Sequence, residues 1–251
     1  RPWKIALVGG GILLALWIVP LAALWLLFPP AKVKEIVLER AGKMAHREIG
    51  LGSAKLRLVP FLGVSLEDFS VANNPDSGFS KEPLIALEAL DVKLSLMSML
   101  KFSPVVKEIA LREPKIRLEI LADGRSSLDG LGGPKDTTAP KTDSVKPLEL
   151  PFPLSVERFA IEDGSIAYID RKGRQEIVLG DIQQSASFST DKSLQNAQTK
   201  GELTISDISV SGAGLPVRKG GIRLRVSHDL GLNLPGASVD IREIKARLQD
   251  V

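Results

Sequence analysis

The sequence predicts a mainly β protein, in which one membrane-spanning helix and a short amphipathic helix precede a long antiparallel sheet. Three observations predict it. Ile5–Phe28 (IALVGGGILLALWIVPLAALWLLF) is 24 residues without a charged side chain. From residue 53 onward the spacing of apolar residues changes from the helical period to alternation. A six-residue pattern then recurs along the rest of the chain.

The first element is the anchor, residues 1–30. At about 1.5 Å per residue a helix over Ile5–Phe28 reaches roughly 36 Å, enough to cross a hydrocarbon layer of roughly 30 Å with some tilt. The run exceeds the usual core of a cleaved signal peptide, and Phe28-Pro29-Pro30 follows it where small residues would mark a cleavage site. An uncleaved anchor is therefore expected. Leu14 lies mid-span, Trp17 reads as lipid-facing bulk, and Pro20 is expected to kink the helix, which membrane helices tolerate. Trp3 and Trp25 sit near its two ends, where amphipathic rings favour the interface. Arg1 and Lys4 before the span balance Lys32 and Lys34 after it, so charge does not orient it.

Residues 31–50 read as an amphipathic helix over Lys32–Ile49. Val33, Ile36, Val37, Ala41, Met44 and Ala45 recur at helical spacing, and Gly50 and Gly52 end the run. Such a stripe packs on the following sheet, lies on a membrane surface or plugs a groove.

Strands follow. Ala54, Leu56 and Leu58 alternate with Lys55 and Arg57; Leu90, Val92, Leu94 and Leu96 with Asp91, Lys93 and Ser95. Ile116, Leu118 and Ile120 alternate with Lys115, Arg117 and Glu119; Ile222, Leu224 and Val226 with Arg223 and Arg225. Each has one apolar and one wet face. Turn signals stand at Asn73-Asn74-Pro75-Asp76, Asp123-Gly124, Asp163-Gly164 and Lys172-Gly173. The recurring pattern is apolar, polar, polar, apolar, small, apolar, at Leu66–Val71, Val106–Leu111, Val156–Ile161 and Ile205–Val210, with weaker copies at Leu87–Val92 and near Leu179–Ile182. Two adjacent polar residues break alternation once, as a β-bulge does. Apart from one longer gap the spacing is roughly 20 to 25 residues, which fits stacked hairpins in an elongated sheet. The gap, Gly130–Pro147, is rich in Gly, Pro, Lys, Thr and Asp. It reads as a flexible linker over residues 130–149. It separates a first unit (51–129) from a second (150–251), as two domains or one sheet. The first residue is not Met, and Arg247–Val251 shows no closing element, so a processed start and a continuing native chain are expected.

Catalytic signatures do not emerge. His46 and His228 stand on separate elements and there is no cysteine, a poor basis for a metal site. His228 is expected in a turn before Asp229. Gly212-Ala213-Gly214 reads as a turn, and neither a nucleophile elbow nor a phosphate loop occurs. Acid pairs such as Glu67/Asp68 and Glu162/Asp163 are adjacent, and adjacent strand residues face opposite ways. No enzymatic activity and no cofactor are expected. With 33 basic against 30 acidic residues and 5% aromatics, nucleic acid is not an expected partner. The apolar columns fit either a sandwich core or an open trough that takes hydrocarbon chains.

The order of these elements resembles the N-terminal part of the AsmA family of envelope proteins. The matching features are Leu58-Val59-Pro60 leading into Leu66–Val71, the Ala72-Asn73-Asn74 turn, the Leu87–Leu96 strand, and Glu113-Pro114-Lys115-Ile116-Arg117-Leu118 followed by Asp123-Gly124. Val156–Ile161, Asp163-Gly164 and Ile166–Asp170 look like a second such unit. The resemblance covers residues 5–130 well and 150–251 loosely. It implies a bacterial inner-membrane anchor with the bulk in the periplasm, and a curved hydrophobic groove of repeated hairpins like that of chorein-type bridge-like lipid transfer proteins. It also implies phospholipid and the inner membrane as partners, envelope proteins or further subunits beside them, and a role in lipid transfer or outer-membrane biogenesis. The groove would be lined by Leu66, Leu90, Val92, Leu94, Leu96, Ile116, Leu118, Ile120, Ile166, Tyr168, Ile222, Leu224 and Val226. Typical members are much longer. Some twelve to fifteen strands stack to only roughly 60–70 Å, as suits a fragment, a short member or one subunit of a bridge.

Overall fold

The computed structural model describes residues 30–57, 62–76, 78–95, 97–98, 105–131, 154–193, 195–212, 222–233 and 238–250. The expected anchor, from Trp3 through Ile5, Leu14, Trp17, Pro20 and Trp25 to Phe28, lies outside them. So do Leu96 and nearly all of the linker. Among the described residues no helix is long and apolar enough to cross a membrane.

Helix α1 spans Pro30–Ala45, with proline in its first turn and Lys43 in its last. It ends earlier than the expected Ile49. His46 adopts φ +52°, and its N–H bonds the Gly42 carbonyl at 3.0 Å, which closes the helix. Ile49 instead opens β1 (Ile49–Gly50), paired with Val71. The apolar stripe of α1 does pack on the sheet: Leu38 sits against a cluster of Leu51, Ala54 and Leu66, joined by Val64, Phe69 and Leu90. Lys34 Nζ adds a bond of 2.9 Å to the Gly52 carbonyl.

The strands are β2 (Ser53–Arg57), β3 (Leu62–Val71), β4 (Ile85–Leu94), β5 (Val106–Arg112), β6 (Lys115–Ile120) and β7 (Leu154–Asp170). They continue with β8 (Gln175–Thr190), β9 (Asn196–Gly212), β10 (Ile222–Asn233) and β11 (Ser238–Asp250). All form one 11-stranded sheet in the order β1-β3-β4-β5-β7-β8-β9-β10-β11, with β2 beside β3 and β6 beside β4 and β7. The two expected units are therefore parts of a single sheet.

The expected purely antiparallel pairing is corrected to mixed pairing. β5 and β6 run parallel to β7 at a constant offset of 50 residues, Val106 beside Val156 and Ile120 beside Asp170. Two copies of the recurring pattern thus lie side by side in register. A parallel pair needs a long return connection, and residues 121–153 supply it. β5 and β6 are collinear, interrupted where Glu113 takes φ +45° and Pro114 lacks an N–H. Bonds from Glu113 N to Glu162 O and from Ser165 N to Pro114 O, both 2.8 Å, carry the pairing past the break.

That break belongs to a line crossing the sheet. Asp68, Glu113, Asp163 and Asp181 all have φ between +45° and +56°. Aspartate tolerates this region better than most residues. At this line apolar spacing changes from two to three: Leu66 to Phe69, Leu111 to Pro114, Ile161 to Gly164 and Leu179 to Ile182. β4 and β9 make the same step at Leu87/Leu90 and Ile205/Ile208. Asp163-Gly164 is thus not the expected turn but an irregularity inside β7. A Cβ on Gly164 would meet Ile161 Cγ2 at 2.9 Å and Ile182 Cβ at 3.3 Å, so only glycine fits. His228, expected in a turn, lies inside β10, paired with Gly201 and Ile244. Hairpin turns do form at Lys172-Gly173 and Asp123-Gly124.

One end of the sheet is tied by buried polar contacts. Glu119 is fully buried and pairs with Arg117 Nε at 2.9 Å and Arg171 Nη2 at 3.1 Å. It also accepts a bond from Ser80 N at 3.3 Å, and its own N–H donates to Ser127 Oγ at 2.9 Å. Arg47, just past α1, donates to the carbonyls of Ser127 and Asp129, so the segments around residues 80 and 127 fold over β6. Glu119→Ala leaves two arginines facing a buried void. It is expected to lower the unfolding free energy of the full chain in urea by about 3 kcal/mol.

Candidate functional site

Strand pairing aligns the apolar residues into rows running across the strands. One row is Leu66, Leu90, Leu111, Ile161, Gln184, Leu203, Val226 and Ala246. The next is Val64, Val92, Ile109, Phe159, Ala186, Gly201, His228 and Ile244. A third runs Leu62, Leu94, Val106, Val156, Phe188, Thr199, Leu230 and Ile241. Beyond the line of positive-φ residues the rows continue. Gly164, Ile182, Ile205, Leu224 and Leu248 form one, and Val71, Ile85, Ile116, Ile166, Leu179 and Ile208 another. Leu118, Tyr168, Ile177 and Val210 form the last.

The contacts of Leu66 and Phe69 within one cluster, and of Ile161, Ile182 and Pro114 around Gly164, place both halves on one face. The expected residues Leu66, Leu90, Val92, Leu94, Ile116, Leu118, Ile166, Tyr168, Leu224 and Val226 all belong to these rows. Ile120 and Ile222 lie at the margin, opposite Asp170 and Asp250. Ile109, Leu111, Phe159, Ile161, Ile182 and Ile205 were missed as lining residues, although most fall in the recurring six-residue pattern. The step of three across its polar pair was the signal that they share the face.

No second sheet covers this face among the described residues. α1 packs at the β1–β2 end, and every extensive contact of the other described elements is with a neighbour in the sheet. Most row residues are half-buried. On the edge strand β11, Val239, Ile241, Ile244 and Leu248 are 55–69% exposed.

The opposite face is charged. Lys93, Glu108 and Arg158 occupy one register row, with Glu108 bonded to both cations and Arg158 reaching Glu162 at 3.1 Å. Lys55–Glu67 at 2.5 Å, Lys107–Glu157 at 2.7 Å and Lys200–Asp229 at 3.3 Å extend the pattern. The sheet is thus amphipathic across its thickness. Among the described residues no three His, Asp or Glu side chains are placed to hold a metal ion.

The Lys93 ammonium bonded to Glu108 holds its carboxyl below the ordinary value of 4.5; the charges of Lys93 and Arg158 act the same way, and burial opposes them. A lowered carboxyl stabilises the fold above its unfolded value, and that contribution is lost as the pH falls through the lowered one. The thermal midpoint should therefore drop on acidification below pH 4.5, and Glu108→Gln should flatten this part of the profile.

Comparison with known proteins adds the family. No curated protein and no solved structure matches the chain. The sequence model of the AsmA family matches residues 2–214, well over half of it. The chain is a member of the AsmA family.

Proposed function

We propose that the uncovered apolar face binds the acyl chains of phospholipid and that the protein helps transfer phospholipid between the inner and outer membranes of a bacterial envelope. Family membership points to an envelope and lipid-related role. The observation that carries the reading is the set of largely apolar rows with no second sheet over them among the described residues. Eight strands at about 4.8 Å make each long row roughly 34 Å wide. Each methylene moved from water onto such a surface is worth up to about 0.8 kcal/mol. Lipid tails would supply the missing layer while the headgroup stayed in water. The apolar run Ile5–Phe28 would anchor the chain in the inner membrane with the sheet in the periplasm.

A second reading is a membrane-anchored scaffold that recruits envelope proteins. The outer edge of β11, with its apolar side chains and no described strand paired to it, favours it.

Site-specific photo-crosslinking in cells separates the two. Probes at Val92, Leu118 and Leu224 should capture phospholipid, and probes at Lys93 and Arg117 on the charged face should not. Protein adducts at the apolar positions, or none, would replace the lipid reading with the scaffold. Charged substitution gives a second test. On an uncovered face, Val92→Glu should shift the melting temperature by only about 5 °C while abolishing lipid capture. Global unfolding of that variant would mean the face is sealed.

A further inference from the structure

The three long rows on the β3–β11 half of the apolar face contain three polar side chains: Gln184, Thr199 and His228. Thr199 on β9 and His228 on β10 are neighbours, whereas Gln184 on β8 lies two rows from Thr199 and two strands from His228. Thr199 Oγ1 and His228 Nε2 lie 3.1 Å apart. Gly201 lies beside them, paired with His228 on one side and Ala186 on the other. A Cβ there would fall 2.5 Å from Ala186 Cβ, so the floor is glycine and alanine at this place.

All three polar side chains are half-buried among aliphatic ones. Their neighbours in the same rows are Leu203, Val226, Leu230 and Ile244. Packing would be served equally well by leucine or valine, and placing polar groups on an apolar floor costs desolvation unless a partner meets them. In the tautomer in which the Thr199 hydroxyl donates to Nε2, the imidazole proton is carried on Nδ1, which is then a further donor. The group in a diacyl amphiphile that is both an acceptor and directly continuous with the tails is the ester carbonyl.

We infer that Thr199 and His228 form a polar station on the apolar face that hydrogen-bonds an ester carbonyl of a diacyl lipid. This rests on the proposed lipid-binding function and specifies which part of the lipid is recognised, and where.

The test compares a diester phosphatidylcholine with its diether analogue, which keeps the headgroup and tails but lacks the carbonyls. The full chain is exposed to vesicles of each, and retained lipid is quantified, with a photo-probe at Val226 reporting occupancy of the face. Wild type should retain diester over diether lipid by about threefold or more, the scale of one net hydrogen bond. The variant combining Thr199→Val and His228→Leu should bind both equally, whereas Thr199→Ser should keep the preference. The double variant adds apolar groups to an apolar face, and an unchanged melting temperature checks its fold. Equal retention of the two lipids by wild type, with capture at Val226, would overturn the station and leave the lipid-binding face standing. No retention of either lipid would overturn both.

Discussion

The structure depends on keeping one face apolar across strands that cannot alternate without interruption. Strict alternation is lost wherever a strand bulges, and a bulge in one strand alone would turn its remaining apolar side chains to the wrong side. Here the irregularities are aligned. Asp68, Glu113, Asp163 and Asp181 take positive φ on successive parts of the sheet, and β4 and β9 make the same step of three between apolar residues. Gln183 bridges Asp163 and Asp181 across the line with bonds of 2.7 and 3.1 Å. The acidic residues tolerate the conformation and stay exposed, so nothing charged is forced onto the apolar side.

A single sheet without a second layer must find its stability elsewhere. Backbone pairing is continuous from β3 to β11, and the charged face is laced with cross-strand ion pairs such as Lys93–Glu108–Arg158. Exposed pairs of this kind contribute little individually, and they specify register as much as they add energy, since a slip would bring like charges together. Dense packing is concentrated at one end. There α1 covers Leu51, Ala54 and Leu66, and the buried Glu119 gathers Arg117, Arg171 and Ser80. The opposite end, at β11, is exposed on both faces.

This asymmetry bears on function. The capped end follows directly from the segment expected to anchor the chain, and the apolar rows run away from it toward β11. Under the proposed lipid-binding function, a surface built this way would offer hydrocarbon a path across strands rather than an enclosed pocket. The Thr199–His228 pair on it would be the point at which one part of a lipid is distinguished from another.

The strands, the amphipathic helix, the β-bulge in the recurring pattern and most of the apolar columns were legible in the sequence, because period and patterning act over a few residues. Leu90, Val92 and Leu94 reveal their shared face by alternation alone. What the sequence could not decide is set by partners distant in the chain. Parallel pairing of Val106–Ile120 with Val156–Asp170 depends on where a long connection returns the chain. Asp163-Gly164 reads locally as a turn, because αL residues and glycine serve turns and bulges equally well, and only the neighbours Ile161, Ile182 and Pro114 assign it to a strand. His228 next to Asp229 reads as a loop until its pairing with Gly201 and Ile244 places it on the apolar face. Whether that face was covered was likewise undecided, because alternation records that one side of a strand is apolar and carries no information about what lies against it.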